Sequence, residues 1–348
     1  MLYYLEGNSL YLEAVIIMGW VILFRYLIMK SKVSIIILLS LALFFMFFLI
    51  KTLFFVNISS ELLFSILFFI AHIGLAFYVI KGKYSEVILI VVFYIWAIFL
   101  FLQFINNVPP SNVIYVSENI VNFVSISFSV SVYLARYLKG KVIILNPAII
   151  TVIIAFWSSG RSGIIGALIL LLVVLASKYN LKQKYLIALL VVSTLLLFTE
   201  GFINKTINIT NNIITRGGTR DGIIGNVRFD IWKDYFSSLD FKTVMLGFNV
   251  NEVHKFFGFT DLHNSFLDGH YMFGIFMFFL ILLIILAFLK LFIDKKFFPI
   301  ILLIVFFTRG FTDTVIFVGR FDYLYIVILL CLLLSDSELH SIENHSKI

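Results

Sequence analysis

Residues 261–292 read DLHNSFLDGHYMFGIFMFFLILLIILAFLKLF. The second half of this stretch decides the class of fold. From Ile275 to Leu289 no charged residue interrupts the apolar side chains. With the residues that lead into it, the run is long enough to cross a hydrocarbon core of roughly 30 Å. Runs of similar length recur along the 348 residues, of which 62% are hydrophobic and 13% charged. Mean hydropathy is +1.09. Water could not solvate the surface such a composition leaves once a single core has formed. The strand alternation of a transmembrane barrel is absent. The chain reads as an all-α, polytopic integral membrane protein.

The first half of the stretch sets the question of function. Asp261, His263, Asn264, Asp268 and His270 crowd the mouth of an apolar span. Other features narrow the answer. The single cysteine, Cys331, lies in an apolar run, so neither an intramolecular disulfide nor a thiolate zinc cluster is available. The start, MLYYLEGNSLYLEAV, lacks the basic region of a cleaved signal peptide, so the first helix is expected to remain in the mature protein. Net charge is +7. In a membrane protein that figure reports topology first, and no nucleic-acid partner is implied.

Hydropathy predicts about eleven transmembrane helices, near 10–29, 33–50, 62–80, 86–105, 119–138, 142–158, 162–177, 184–199, 267–292, 297–311 and 317–335. Alternate connections carry Lys30 and Lys32; Lys81 and Lys83; Arg136, Lys139 and Lys141; Lys178, Lys182 and Lys184; Lys290, Lys295 and Lys296. The tail adds Lys347, whereas the opposite connections carry Lys51, Arg161, Arg309 and Arg320. The positive-inside rule then places the C-terminus in the cytoplasm and the N-terminus outside. Residues 200–262 form one large extracytoplasmic loop within a single membrane domain, 1–348. Its length points to a functional or disordered segment, and its aromatic and aliphatic content argues against disorder. In NVRFDIWKDYFSSL, Arg228, Ile231, Trp232, Tyr235 and Leu239 fall near one helical face. That pattern predicts an amphipathic helix on the membrane surface.

Several polar residues gather at the expected outer edge. Arg161 sits between small residues in WSSGRSGIIG, where a helix start offers free N–H groups. It suits an anion, with snorkelling to lipid headgroups as the alternative. Arg216, Arg220 and Arg228 lie in the loop, and Arg228 shares a face with Trp232. His263 can exchange a proton near neutral pH, or serve as a structural helix cap. Asn264 can orient a hydroxyl or amide, and Asp261 could orient His263. His254 and His270 make weaker candidates. His72, alone in the third span, reads as a core hydrogen-bonding histidine. Arg309 and Asp313 are four apart and can pair on one helical face; Arg320 and Asp322 follow. Structural ion pairing is the plain reading of these last charges, yet they reach the same edge as Arg161 and His263.

Motif absences limit the chemistry. GxxxxGK[ST], HExxH, GxSxG and Asp-x-Asp do not occur. Arginines beside a proton-handling group suit a donor that departs as phosphate or pyrophosphate. Guanidinium groups neutralise the leaving group as its bond breaks. A lipid-linked donor would place such a site at the membrane surface.

Three segments carry a resemblance. SSGRSGIIGALILLL (158–172), the loop with VRFDIW (227–232) and MLGFN (245–249), and HNSFLDGHYMFG (263–274) resemble segments of the O-antigen polymerase of the Wzy type, within the O-antigen polymerase/ligase superfamily. The resemblance covers roughly residues 155–280. It implies a metal-independent, GT-C-like glycosyltransferase of polysaccharide biosynthesis, without cofactor, in the bacterial inner membrane with a periplasmic active face. The substrates implied are undecaprenyl-pyrophosphate-linked oligosaccharides in membrane lipid, with a chain-length regulator and a flippase as further partners. Carried over by position, Arg161 and Arg228 bind pyrophosphate and His263 is the base, which makes these three the catalytic candidates. Arg216, Arg220, Asn264, Arg309 and Arg320 are candidates for substrate binding. Ligases of the superfamily tend to carry a small or hydroxylated residue where this chain has Met277, which favours polymerase. The LGxG often seen in the loop is LGFN here. Two alternatives remain open: an O-antigen ligase, and a polysaccharide flippase or other transporter. The transporter would carry charges at the bilayer midplane and repeated halves.

Overall fold

A computed structural model describes residues 9–28, 46–47, 50–51, 54, 60–113, 118–158, 161–179, 221–249, 254–259, 261–311, 313–317 and 319–333. Among these the architecture is all-helical. The helices are α1 (Leu10–Ile28), α2 (Ser60–Lys81), α3 (Ser85–Ile105), α4 (Pro110–Val113), α5 (Glu118–Leu138), α6 (Asn146–Ser158), α7 (Arg161–Lys178), α8 (Asp221–Ser237), α9 (Phe241–Leu246), α10 (Ser265–Phe273), α11 (Ile275–Ile293), α12 (Phe297–Gly310) and α13 (Tyr323–Leu333). Five of them, α1, α2, α3, α5 and α11, are long and apolar enough to cross a membrane; α6, α7 and α12 are shorter apolar helices. The span expected at 184–199 and most of that at 33–50 lie outside the described residues.

Helix α5 is the hub, packing against α2, α3, α4, α6, α7 and α12. Its serines are fully buried, and several bond to neighbouring helices. Trp96 Nε1 of α3 donates to Ser125 Oγ at 2.9 Å, Ser129 meets Thr151 of α6 at 2.5 Å, and Ser131 meets Tyr323 of α13 at 2.6 Å. Lipid tails are as apolar as leucine, so hydrogen bonds and close packing, rather than the hydrophobic effect, hold such helices together. The outer helices show the complementary pattern. Val91, Ile95 and Ile98 of α3, and Leu282, Leu286 and Leu289 of α11, are exposed apolar side chains, suited to a hydrocarbon solvent.

Two expected spans differ from prediction. The run 267–292 is broken at Gly274, which separates α10 from α11. Gly274 has φ +53, and a Cβ there would stand 2.5 Å from the backbone of Met245, Leu246 and Gly247. Gly247 has φ +73, and its Cβ would meet Tyr271 O at 2.4 Å. The two glycines therefore let two backbones touch, and Phe248 N donates to Tyr271 O at 2.9 Å across the joint. Hydropathy cannot register this break, because both sides of it are apolar. The last span starts at Tyr323 rather than 317, since Asp322 Oδ1 accepts from Phe317 N at 3.0 Å and holds the chain in turns.

The amphipathic helix is present as α8, and most of its expected apolar face packs inward while Phe229 and Phe236 stay exposed. Ile231 and Tyr235 form a small second core with Phe248, Phe256 and Leu262, with Trp232 and Leu239 packed against it. Burying side chains of this size contributes about 1.5–3 kcal/mol each, which fixes α8 to its own chain. Trp232 Nε1 donates to Leu262 O at 2.9 Å. Below it, α9 starts on a capping box in which Asp240 and Thr243 satisfy each other's backbone N–H groups.

Candidate active site

Arg309 lies in the last turn of α12 with its side chain only 2% exposed. A guanidinium so buried must be paired or bonded. Nη1 donates to Ser162 Oγ in the first turn of α7, and Nη2 pairs with Asp313 Oδ2 at 3.3 Å. The pair expected from the spacing thus forms, although the helix ends at Gly310 and Asp313 lies in the turn beyond it. Arg228 of α8 is close enough for its charge to act on Arg309, and its Nε is buried without a partner among the described residues.

A serine fastens the neighbouring loop. Ser265, wholly buried at the first residue of α10, donates to Asp313 O at 2.6 Å and accepts from Val315 N at 2.8 Å and Ile316 N at 3.0 Å. This locks the turn bearing Asp313 to the segment bearing His263. There, Asp261 Oδ1 accepts from His263 N at 2.8 Å, and Oδ2 lies 3.6 Å from His263 Nδ1. Thr314 Oγ1 donates to the same carboxylate at 3.3 Å. His263 has φ +49, an uncommon conformation for a residue with a side chain, and is half-buried. Its ring is thus placed beside a carboxylate and partly open to solvent.

Asp268, one helical turn into α10, is partly buried. Burial, and secondarily the nearby charge of Asp261, push its pKa up to about 7. Near neutrality it can therefore be uncharged. Arg309 pairs with Asp313, Arg228 acts on it through its charge, and the Asp261–His263 pair lies alongside Asp313. Ligand atoms of Asp261, His263 and Asp313 lie within 4.8 Å of one another, a set able to hold a divalent cation.

Sequence-predicted residues fall into three groups. Arg228, Arg309, Asp313, Asp261 and His263 are brought together from three stretches far apart in the chain. Arg161 opens α7 directly before Ser162, so its backbone stands at the same place, while its side chain lies outside the described residues, as do Arg216 and Arg220. The remaining candidates take structural positions. Asn264, rather than His263, caps α10: its Oδ1 accepts from Phe266 N and Leu267 N, which commits that oxygen to the helix and leaves Nδ2 for any substrate contact. His270 Nε2 donates to Val244 O at 3.1 Å, so Nδ1 accepts from Tyr235 Oη at 2.5 Å. Burial holds its pKa below the usual value, and it joins α8, α9 and α10 as a neutral ring. His254 packs against Phe248, Phe256 and Tyr271. His72 is the core histidine expected, with ring nitrogens 2.8 Å from Phe68 O and 3.2 Å from Arg320 O. Arg320 sits in the turn before α13, anchored through that carbonyl.

Sequence reasoning missed Ser162, Ser265 and Thr314. Small hydroxyl residues carry little signal in one sequence, and only the fold reveals what they touch. No family model, curated protein or solved structure matches the chain. The fold and site by themselves define a helical membrane protein with a polar cluster of arginines, carboxylates and a histidine at one end of its bundle.

Proposed function

We propose that the protein is a polysaccharide polymerase of the bacterial inner membrane, transferring glycan between undecaprenyl-pyrophosphate-linked oligosaccharides at the periplasmic face. The observation that carries this reading is the meeting of Arg228 and Arg309, from separate helices, at Asp313, whose carboxylate groups with Asp261 and His263. In the reaction, Arg228, Arg309 and Arg161 hold the pyrophosphate of the donor. His263, oriented by Asp261, takes the proton from an acceptor hydroxyl. The hydroxyl oxygen bonds to the anomeric carbon as the carbon–oxygen bond to phosphate breaks, and pyrophosphate leaves on its lipid carrier. The energy resides in the donor, so no nucleotide is spent.

The test is elongation of a defined lipid-linked oligosaccharide by the purified protein. Arg161→Ala and Arg228→Ala are expected to abolish long products while the protein still inserts, and His263→Ala to slow elongation by about 100-fold or more. Normal chain lengths in both arginine variants overturn the mechanism. Movement of labelled substrate across vesicles without growth supports the transporter instead.

A metal-assisted version has one observation in its favour, the Asp261–His263–Asp313 grouping. Chelation separates the two. The metal-independent mechanism keeps its rate in EDTA, and loss of activity restored by a divalent cation assigns the cluster to a metal.

A further inference from the structure

Asn122 lies one turn into α5, and its side chain is fully buried. Neither Oδ1 nor Nδ2 has a hydrogen-bond partner among the described residues. Leaving such groups unpaired is costly away from water; Ser125, Ser129 and Ser131 of the same helix find partners, whereas Ser127 Oγ does not. The position of the amide gives its cost a purpose. A Cβ on Gly163 would stand 2.4 Å from both Asn122 Cγ and Nδ2, so the amide rests against the first turn of α7. The leading N–H groups of a helix lack intrahelical partners and attract anions. Ser162, next in that turn, carries the hydroxyl that receives Arg309. The first turn of α7 thus carries a buried amide against Gly163 and the end of a guanidinium on Ser162.

We propose that Asn122 is a substrate-reading residue: Nδ2 donates to a phosphate oxygen held at the start of α7, and Oδ1 accepts from a hydroxyl beside that phosphate. The ligand is therefore a phosphate ester with a neighbouring hydroxyl, as in a glycosyl pyrophosphate. This rests on the polymerase reading and adds to it a contact at the first turn of α7.

Asn122→Leu removes both polar groups at nearly constant shape. The probe is a short prenyl pyrophosphoryl monosaccharide, titrated onto the full chain in phosphatidylcholine nanodiscs with thermal stability as readout. Without ligand, the variant is expected to unfold at or above the wild-type temperature. With ligand, its affinity is expected to fall at least tenfold. An Asn122→Leu protein that unfolds earlier or fails to assemble, with Asn122→Ala behaving likewise, assigns the amide a structural role and overturns the proposal. So does unchanged affinity. Arg228→Ala serves as control. If it loses the probe while Asn122→Leu keeps it, this inference falls and the polymerase reading stands. If wild-type protein does not bind the probe, the polymerase reading falls with it. Loss of probe binding when the discs contain phosphatidylglycerol assigns the Asn122 contact to a lipid headgroup and overturns the substrate assignment.

Discussion

Asp268 and Ser265 show how single residues set the behaviour of the site. Asp268 has a folded-state pKa raised from 3.8 to about 7. The folded protein therefore holds a proton that the unfolded chain releases earlier. The associated stability is full below about pH 4 and is lost as pH rises through about 7. Thermal unfolding in detergent should show a midpoint that falls between pH 5 and 7.5, by up to a few kcal/mol in stability, and Asp268→Asn should flatten the slope. A wild-type midpoint that rises over this interval contradicts the assignment. Ser265→Ala leaves the N–H groups of Val315 and Ile316 without their acceptor. A loss of about 1–3 kcal/mol is expected, read as a lower unfolding midpoint, together with slower elongation as the Asp313 turn loosens. At this scale the sequence is informative about charge and silent about hydroxyls. Arg309 and Asp313 announce themselves by being charged in apolar surroundings. Asn122 and Ser162 look like ordinary filler until the packing of α5 on α7 is known.

Elements are legible where hydropathy alone decides them, as in α1, α3 and α11, whose C-terminal ends fall within a few residues of expectation. They are less legible where two backbones approach. The joint of Gly247 and Gly274 depends on residues distant in sequence, and no local pattern encodes the contact. Ala at either position meets backbone atoms at 2.4–2.5 Å in a left-handed conformation. Gly274→Ala is expected to cost at least about 2 kcal/mol and to free α9 from α10. Limited proteolysis should then cut near residues 239–249 in the variant and leave wild type intact; equal resistance argues that the joint is dispensable. In α8 the spacing of Ile231, Trp232 and Tyr235 reveals an apolar face, but not that Phe248, Phe256 and Leu262 cover it. Apolar residues at helical intervals mark the side that must leave water, and a lipid surface or a folded loop satisfies that demand equally well.

For the whole molecule, membrane insertion follows from composition, while sidedness rests on the distribution of lysine and arginine. It can be checked in intact cells. A thiol introduced as Ser237→Cys at the exposed end of α8 should react with a membrane-impermeant maleimide, whereas Lys141→Cys should react only after permeabilisation; the opposite pattern reverses the orientation and removes the periplasmic site. The order in which the chain is made adds one more consequence of its central helix. Ser131 on α5 finds its hydroxyl partner on Tyr323, 192 residues later. A ribosome delivers α5 to the bilayer well before that tyrosine exists. Until α13 arrives, the Ser131 hydroxyl has only Ser127 O of its own helix to bond. Chains cut short before residue 323 should be recognised as incomplete and degraded, even when every earlier helix has been inserted.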